Sequence, residues 1–486
     1  MKNLKRTMAG VSALALVMGF TSCQSSSSGG TVDTAEVTTV ATTTGVTVEV
    51  NTATLAEESQ MTLDEAADAA LPDIELENKT IKWFAHYDIN PNTASGASES
   101  VPLNVFRTKY GGEVQYYPTT WNTRYSDLST YVLGGEGIDF FPCDTAALPK
   151  GVVSGMFQPI DDYIDLDSDL WKGVSEAMEK YNFNGKHYEF VNSVSAENVV
   201  IYNKDTIEAN NFDDPWELYK EGKWNWDTFK EMLVQYVDDE SEQYGLDGYW
   251  AEKALFLSGG VPSVESVDGT LKVNLMDAQV EKAQNFMYDL YSNNLVINRE
   301  VFDWAEQPQF MSEGKELFYI VGAWAVQADP ETWSTKIPPE KLGLAPVPNA
   351  ADAERPWQAA TLDGWVLCKG ASNPQGVAVF AECNRFANTN DDAIAIGDAK
   401  AMEDYKWSEE LIAINKEINQ LANDNPVVDL ATGVSTDVAS LTTDGGDNVG
   451  LRAAMHGVEW STNREEINDV VVMLVDEVDA QLKALS

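Results

Sequence analysis

The alternation of apolar and polar positions organises this chain from residue 80 onward. "TIKWFAHYDIN" (80–90) is a β-prone apolar run that breaks into a polar loop. "VPLNVFRTKYGG" follows with helical period and closes on Gly111 and Gly112, where a helix C-cap is expected. "EVQYYPTTW" predicts a strand, "RYSDLSTYVLGGEG" a helix with glycines at its end, and "IDFFPCD" a buried strand. Strand, helix, strand, helix, strand is the rhythm of parallel βαβ units. Such sheets bind ligands beyond the carboxyl ends of their strands. The residues just past those ends, His86, Asp88, Trp121 and Asp144, are therefore candidates for a site.

Further along, "NVVIYNK" reads as a strand. "WNWDTFKEMLVQYV" reads as an amphipathic helix with Asn225 as N-cap and Trp226, Phe229 and Leu233 along one side. "GKELFYIVGAWAV" is a strand ending at a glycine and a tryptophan, and "TLDGWVLCKGASNPQGVAVFAECNRFAN" is a strand, a turn and a helix. At the end, Ile467, Val471, Leu474, Val478 and Leu482 fall at helical spacing and predict a docked C-terminal helix.

The first residues follow a different pattern. Lys2, Lys5 and Arg6 precede an apolar run from Met8 to Phe20, shorter than the ~20 residues a membrane span needs. It has the dimensions of a signal-peptide core. With Cys23 behind it, residues 1–22 resemble a bacterial lipoprotein signal whose cysteine becomes the lipid-bearing first residue. Phe20 stands where such signals usually carry Leu. An ordinary secretory signal with an incidental cysteine is the alternative. Residues 23–78 hold no Lys or Arg, few large apolar residues and much Ser and Thr, and read as a flexible acidic tether.

Charge and cysteines narrow the function. The 486 residues carry 78 acidic and 32 basic side chains, a formal charge of −46. Phosphate binding needs clustered Lys and Arg, so nucleic acid is excluded as the natural partner. Cys143, Cys368 and Cys383 form no CxxC pair. One bridge from Cys143 to Cys368 or Cys383 and buried free thiols are both open. "DLDSDLWKGVSE" sets Asp165, Asp167, Asp169 and Glu176 at positions 1, 3, 5 and 12 of a calcium loop, but Leu170 takes the place of its glycine. A solvated acidic loop is the alternative. No HExxH, GxSxG or phosphate-binding glycine loop occurs. A glycosidase-type carboxylate pair is recognisable only by geometry.

Six segments in order carry a resemblance. They are "FRTKYGGEVQY", "GGEGIDFFPCD", "GKHYEFVNSVSAENVVIYNKD", "WNWDTF", "GKELFYIVGAWAV" and "DGWVLCKGASNPQGVAVFAECNRF". Together they resemble the extracellular solute-binding proteins of ATP-driven importers, in the branch that includes maltose-binding protein, over residues 79–486. The resemblance implies an α/β, periplasmic-binding-protein-like type II fold of two lobes joined by a hinge, with a ligand cleft between them. It implies a first lobe from 79–196 and 358–410, a second from 197–357, and C-terminal helices (411–486) packing mainly on the second. It implies a binding protein rather than an enzyme, with no cofactor. The protein would capture a sugar, an oligosaccharide, for permease subunits that are separate chains. It would be a monomer, lipid-anchored to the outer face of the bacterial cytoplasmic membrane. A peptide or other non-sugar ligand, and a surface carbohydrate-processing enzyme, are the other readings. Sugar recognition uses aromatic faces and polar hydrogen-bonding groups. Trp324 matches a family position that stacks on sugar. Trp365, Asp363, Tyr249, Trp250, Glu197 and Asn198 join the residues named above as ligand candidates, each with core packing or loop surface as its alternative.

Overall fold

The computed structural model describes residue 55 and residues 57–91, 99–327, 335–443 and 450–485, all within one compact unit. The described chain opens with a helix, α1 (Glu57–Ala70), and then runs β1 (Thr80–Ala85), α2 (Val101–Tyr110), β2 (Glu113–Pro118), α3 (Arg124–Gly134) and β3 (Phe140–Pro142). β4 (Glu189–Ala196) and β5 (Val199–Asn203) follow, then α4 (Trp226–Tyr236), β6 (Tyr244–Asp247), α5 (Ala251–Leu257) and α6 (Ala278–Ser292). The last part holds β7 (Glu316–Val321), β8 (Leu342–Ala345), β9 (Gln358–Leu367), α7 (Pro374–Thr389), α8 (Asp391–Tyr405), α9 (Glu409–Asp424), β10 (Pro426–Val427) and α10 (Trp460–Lys483).

Two sheets result. The first has the order β10-β9-β3-β1-β2, with β4 also on β9, and the second the order β8-β5-β7-β6. β5 and β7 are buried along their whole length, as strands covered on both faces must be. The chain leaves the first sheet at Ala196 and enters the second at Val199, so Glu197 and Asn198 make one crossing; residues 346–357 make another.

The ladders determine where the strands point. β4 runs toward its crossing, β9 is antiparallel to it, and β3 is antiparallel to β9, so β3 and its parallel neighbours β1 and β2 also run toward the crossing. In the second sheet β5 runs away from the crossing. β7 is antiparallel to it, with Val321 paired to Val199, and β6 is parallel to β7. The carboxyl ends of β1, β2, β3, β6 and β7 therefore all face the crossings, and the loops beyond them line the space between the lobes.

Local sequence explains several elements directly. Asn225 caps α4 by accepting the Asp227 and Thr228 N–H groups at 3.0 and 3.1 Å, and Trp226, Phe229 and Leu233 are buried. In α10, Ile467, Val471 and Leu482 are buried. Cys143, Cys368 and Cys383 are unpaired.

Two expectations about the chain's ends need correction. The signal segment, Cys23 and residues 24–54 lie outside the described residues, but the tether expected to reach residue 78 does not. Residues 57–70 are helical, and Leu63, Ala67, Leu71 and Leu76 are at most 5% exposed. Spacing of i, i+4, i+8 puts the first three on one face, which is enough to dock a helix. Gln60 and Asn104 exchange amide hydrogen bonds of 2.9 and 3.0 Å, Lys109 pairs with Asp68 at 2.7 Å, and the Tyr110 hydroxyl donates to the Pro72 carbonyl at 2.8 Å. Contacts advance together along both helices, so α1 lies parallel to α2. The C-terminal helices also differ from expectation, because they bridge the lobes. α9 packs on β4 of the first and β8 of the second; α10 packs on α6, on strand Thr270–Val273 and on the short helix Lys150–Val153.

If α1 belongs to the cooperative fold, Leu63→Ala lowers unfolding free energy by about 2–4 kcal/mol in a denaturant titration. A change within about 0.5 kcal/mol, the size of a surface substitution, would show that the helix is not part of the folding unit.

Candidate functional site

The first lobe's wall is built from the loops after β1, β2 and β3. Trp83 holds the first loop, its Nε1–H donating to the Tyr87 carbonyl at 2.9 Å. Arg124, at the start of α3, ties the other two together. Its guanidinium carbon lies 3.6 Å from the Trp121 ring centroid, while its Nε donates to Asp144 Oδ2 at 2.8 Å. The Tyr125 hydroxyl and the Ala146 N–H donate to Asp144 Oδ1. Asp144 is thus fixed as an acceptor, and Trp121 has one face on a cation with 54% of its surface open. His86 stands edge-on to Trp121 at 5.0 Å. Burial and the nearby Arg124 charge depress its pKa, and its Nδ1 has no hydrogen-bond partner. Asp88 is exposed and shapes its own loop, accepting the Asn90 N–H and side-chain amide at 2.9 Å each.

β9 supplies Asp363. The Ser195 hydroxyl donates to its Oδ2 at 2.6 Å, and Ser193 lies at 3.4 Å. The β4–β9 register shifts between Asp363 and Gly364, a bulge. The extra residue of that bulge is Asn192 of β4, opposite the step from Asp363 to Gly364; on β9 Asp363 is open while Trp365, two residues on, is covered. Asp363 opens into the cleft. Trp365 is a core residue, 8% exposed and stacked on Phe380 with centroids 4.8 Å apart, which overturns its reading as a ligand contact. Gly364 permits the close approach, since a Cβ there would meet the Phe190 carbonyl at 2.2 Å.

The second lobe's wall comes from the loops after β6 and β7. Gly248, at φ +141°, passes so near β7 that a Cβ would lie 2.0 Å from the Ile320 carbonyl. Tyr249 and Trp250 follow, 40% and 57% exposed. Trp250 sits in the left-handed region at φ +60°, and so does Trp304 at +65°. Non-glycine residues rarely adopt this conformation, and they do so mostly where the surroundings over-determine it. Here Arg299 is the anchor. It donates from Nε to the fully buried Asp247 at 2.7 Å and from Nη2 to the Gly248 carbonyl at 2.7 Å, and Nη1 lies 3.4 Å from Glu306. Trp304, 54% exposed, was not singled out in the sequence; a tryptophan inside the polar stretch "FDWAEQ" was the available signal.

Trp324 is 60% exposed and its indole lies over Gly322, where a Cβ would come within 2.1 Å of the ring nitrogen and 3.1 Å of the Glu197 carbonyl. It therefore stands beside the crossing. Glu197 is engaged by Lys253 of α5 at 2.7 Å. Asn198 is buried at 2% exposure and takes no place on the open wall. Among the described residues the exposed aromatic side chains are Tyr87, Trp121, Tyr249, Trp250, Trp304 and Trp324, and all of them belong to these two walls.

The calcium loop does not form. Asp165 accepts the Asp167 N–H at 3.1 Å in a local turn, and among the described residues no three His, Cys, Asp or Glu side chains converge to hold a metal. No described helix is long and apolar enough to cross a membrane.

The fold has known counterparts. The family model for bacterial extracellular solute-binding proteins matches residues 90–383. The chain belongs to that family. Among solved structures, it is similar to a substrate-binding protein from Listeria monocytogenes in complex with cycloalternan (15% identity, 81% of this chain and 99% of that one, TM-score 0.57). The sugar-binding protein MalE from Xanthomonas citri is similar too (14%, 83% and 98%, TM-score 0.57). So is the cyclic α-maltosyl-1,6-maltose binding protein from Arthrobacter globiformis (15%, 83% and 99%, TM-score 0.56). At these identities the likeness is one of fold, the two-lobed type II architecture. No curated relative matches the chain.

The Trp324 platform depends on Gly322. Gly322→Ala, at a φ of −63° that alanine tolerates, displaces the indole without backbone strain. Thermal melting stays near that of the parent while tryptophan emission shifts; an unchanged emission spectrum would show that the ring does not rest there.

Proposed function

We propose that this solute-binding protein captures an oligosaccharide between its lobes and presents it to the permease of an ATP-driven importer, held at the cell surface by a lipid on Cys23. The observation that carries the sugar reading is the placement of every exposed aromatic described, on the two facing walls. Aromatic faces offer apolar contact to the C–H sides of sugar rings. Asp144, Asp363 and Glu306 stand among them as acceptors for hydroxyl groups, and charge-assisted hydrogen bonds to hydroxyls are the stronger kind. Several proteins of the same fold are described in complex with sugars, among them maltotetraose and cycloalternan. Membership in an extracellular family supports a surface location, and the lipoprotein-like start supplies the anchor.

In this reading the two lobes hold the ligand without chemistry. Closure around it is favoured only as far as ligand touches both walls, because a ligand shifts an equilibrium by its difference in affinity for the two states. Trp324, beside the crossing, touches ligand from the second lobe; Trp121 and Asp144 do so from the first.

Titration with malto-oligosaccharides of increasing length, followed by tryptophan fluorescence, gives a saturable change, and the sugar is recovered intact by mass spectrometry. Trp324→Ala weakens binding by ~10- to 100-fold, the effect of truncating a central tryptophan anchor. Saturable binding of peptides with no response to any saccharide would overturn the ligand class, and fragmentation of the sugar would overturn the absence of turnover.

A further inference from the structure

The charges in the cleft walls are unevenly matched. Arg124 is paired with Asp144 at 2.8 Å, Lys253 with Glu197 at 2.7 Å, and Arg299 with Asp247 and Glu306. Asp363 differs. Its partners are the hydroxyls of Ser195 and Ser193, and among the described residues no Lys or Arg forms an ion pair with it. The side behind it offers no cation either. Glu189 of β4 is 1% exposed, its oxygens lack a well-formed hydrogen bond, and burial raises its pKa well above the usual carboxylate range; the Cys143 thiol beside it is pushed up in pKa as well. Tyr87 and Asp144 are the other titratable groups that share this corner with Asp363. Residues 92–98, 328–334 and 444–449 contain no Lys or Arg.

Asp363 keeps an exposed side chain on the cleft wall, and partial loss of solvent around it raises its pKa against the two serine hydrogen bonds. A carboxylate that gives up part of its water as the lobes close on a ligand, with no counter-charge in the protein, is stabilised when the ligand brings a cation. Asp144, Glu197, Asp247 and Glu306 find their cations inside the protein.

The geometry points to the ligand as the source of the missing cation: the sugar held in this cleft carries a protonated amino group that Asp363 receives, and sugars bearing carboxylate or other anionic groups are rejected. This rests on the sugar reading above and narrows it. Ser193 and Ser195 hold the Asp363 carboxylate toward the recess, leaving Oδ1 for the ligand. Tyr87 gives the same corner an exposed aromatic surface, and cations are attracted to aromatic faces. An anionic group there would meet Asp363, whose charge no ion pair among the described residues offsets, whereas Asp144 is already paired with Arg124; like-charge contact is the standard means by which a site excludes a competitor.

The test is calorimetry at pH 7 with three β-1,4-linked tetrasaccharides of one length, built from glucosamine, glucose or glucuronate, and with maltotetraose. The glucosamine tetramer binds at least ~10-fold more tightly than the glucose tetramer, a step of about 1.4 kcal/mol, and the glucuronate tetramer binds weakest. Asp363→Asn, which keeps an acceptor for both serines, brings the glucosamine and glucose tetramers within ~3-fold of each other, whether or not the absolute affinities fall. Equal binding of those two by the parent protein overturns the inference, as does a preference that survives in Asp363→Asn. So does binding of maltotetraose without binding of the glucosamine tetramer; in each of these cases the sugar reading stands. Binding of peptides and of none of the four saccharides overturns both.

Discussion

The architecture depends on how two antiparallel strand pairs meet the crossings. β7 ends opposite the start of β5, with Val321 on Val199, and β9 lies antiparallel to β4 and to β3. Those registers turn the parallel strands of both sheets so that their carboxyl ends point inward. Reversing either sheet would send Tyr249, Trp250 and Trp324, or Tyr87 and Trp121, to the outer rim. Hydrogen-bond ladders specify this strongly, because a slip of one residue moves every buried side chain to the opposite face.

Holding large apolar rings open to solvent on those loops goes against the hydrophobic effect, so each needs support from beneath. Arg124 stacks on Trp121 and binds Asp144, making one cation the support of both a platform and an acceptor. Arg299 does the equivalent work in the second lobe, joining buried Asp247, the Gly248 carbonyl and Glu306 under the left-handed Trp250 and Trp304. Trp324 instead uses the absence of a side chain at Gly322. Ionic anchors and glycines are thus the means by which strained, exposed aromatics stay in place, and they couple each wall to the core of its own lobe.

Much of this was legible in the amino-acid order. Strand and helix periods, glycine closures and the order of six short segments led to the two-lobed α/β fold; strand-end reasoning led to Trp121 and Asp144, and the family resemblance led to Tyr249, Trp250 and Trp324. Three features were not legible for physical reasons. Trp365 is covered by Phe380 while Asp363, two residues earlier on the same strand, is open, and alternation alone cannot reveal where along a strand the covering helix lies. Helix α1 has too few large apolar residues to announce a core contact, although Leu63, Ala67 and Leu71 carry one. Trp304 follows a single 3-10 turn and reaches the wall through contacts with residues more than fifty positions away, since Gln307 donates its N–H to Asp247.

The central claim is that sugar is bound between the lobes and not on the outer face of either. Its most direct test is the distance between spin labels on two exposed positions of opposite lobes, Leu133 and Val301, measured by pulsed electron resonance with and without a saturating malto-oligosaccharide. A ligand that contacts both walls shortens and narrows the distance distribution. An unchanged distribution in a sample shown to hold the sugar would contradict binding between the lobes.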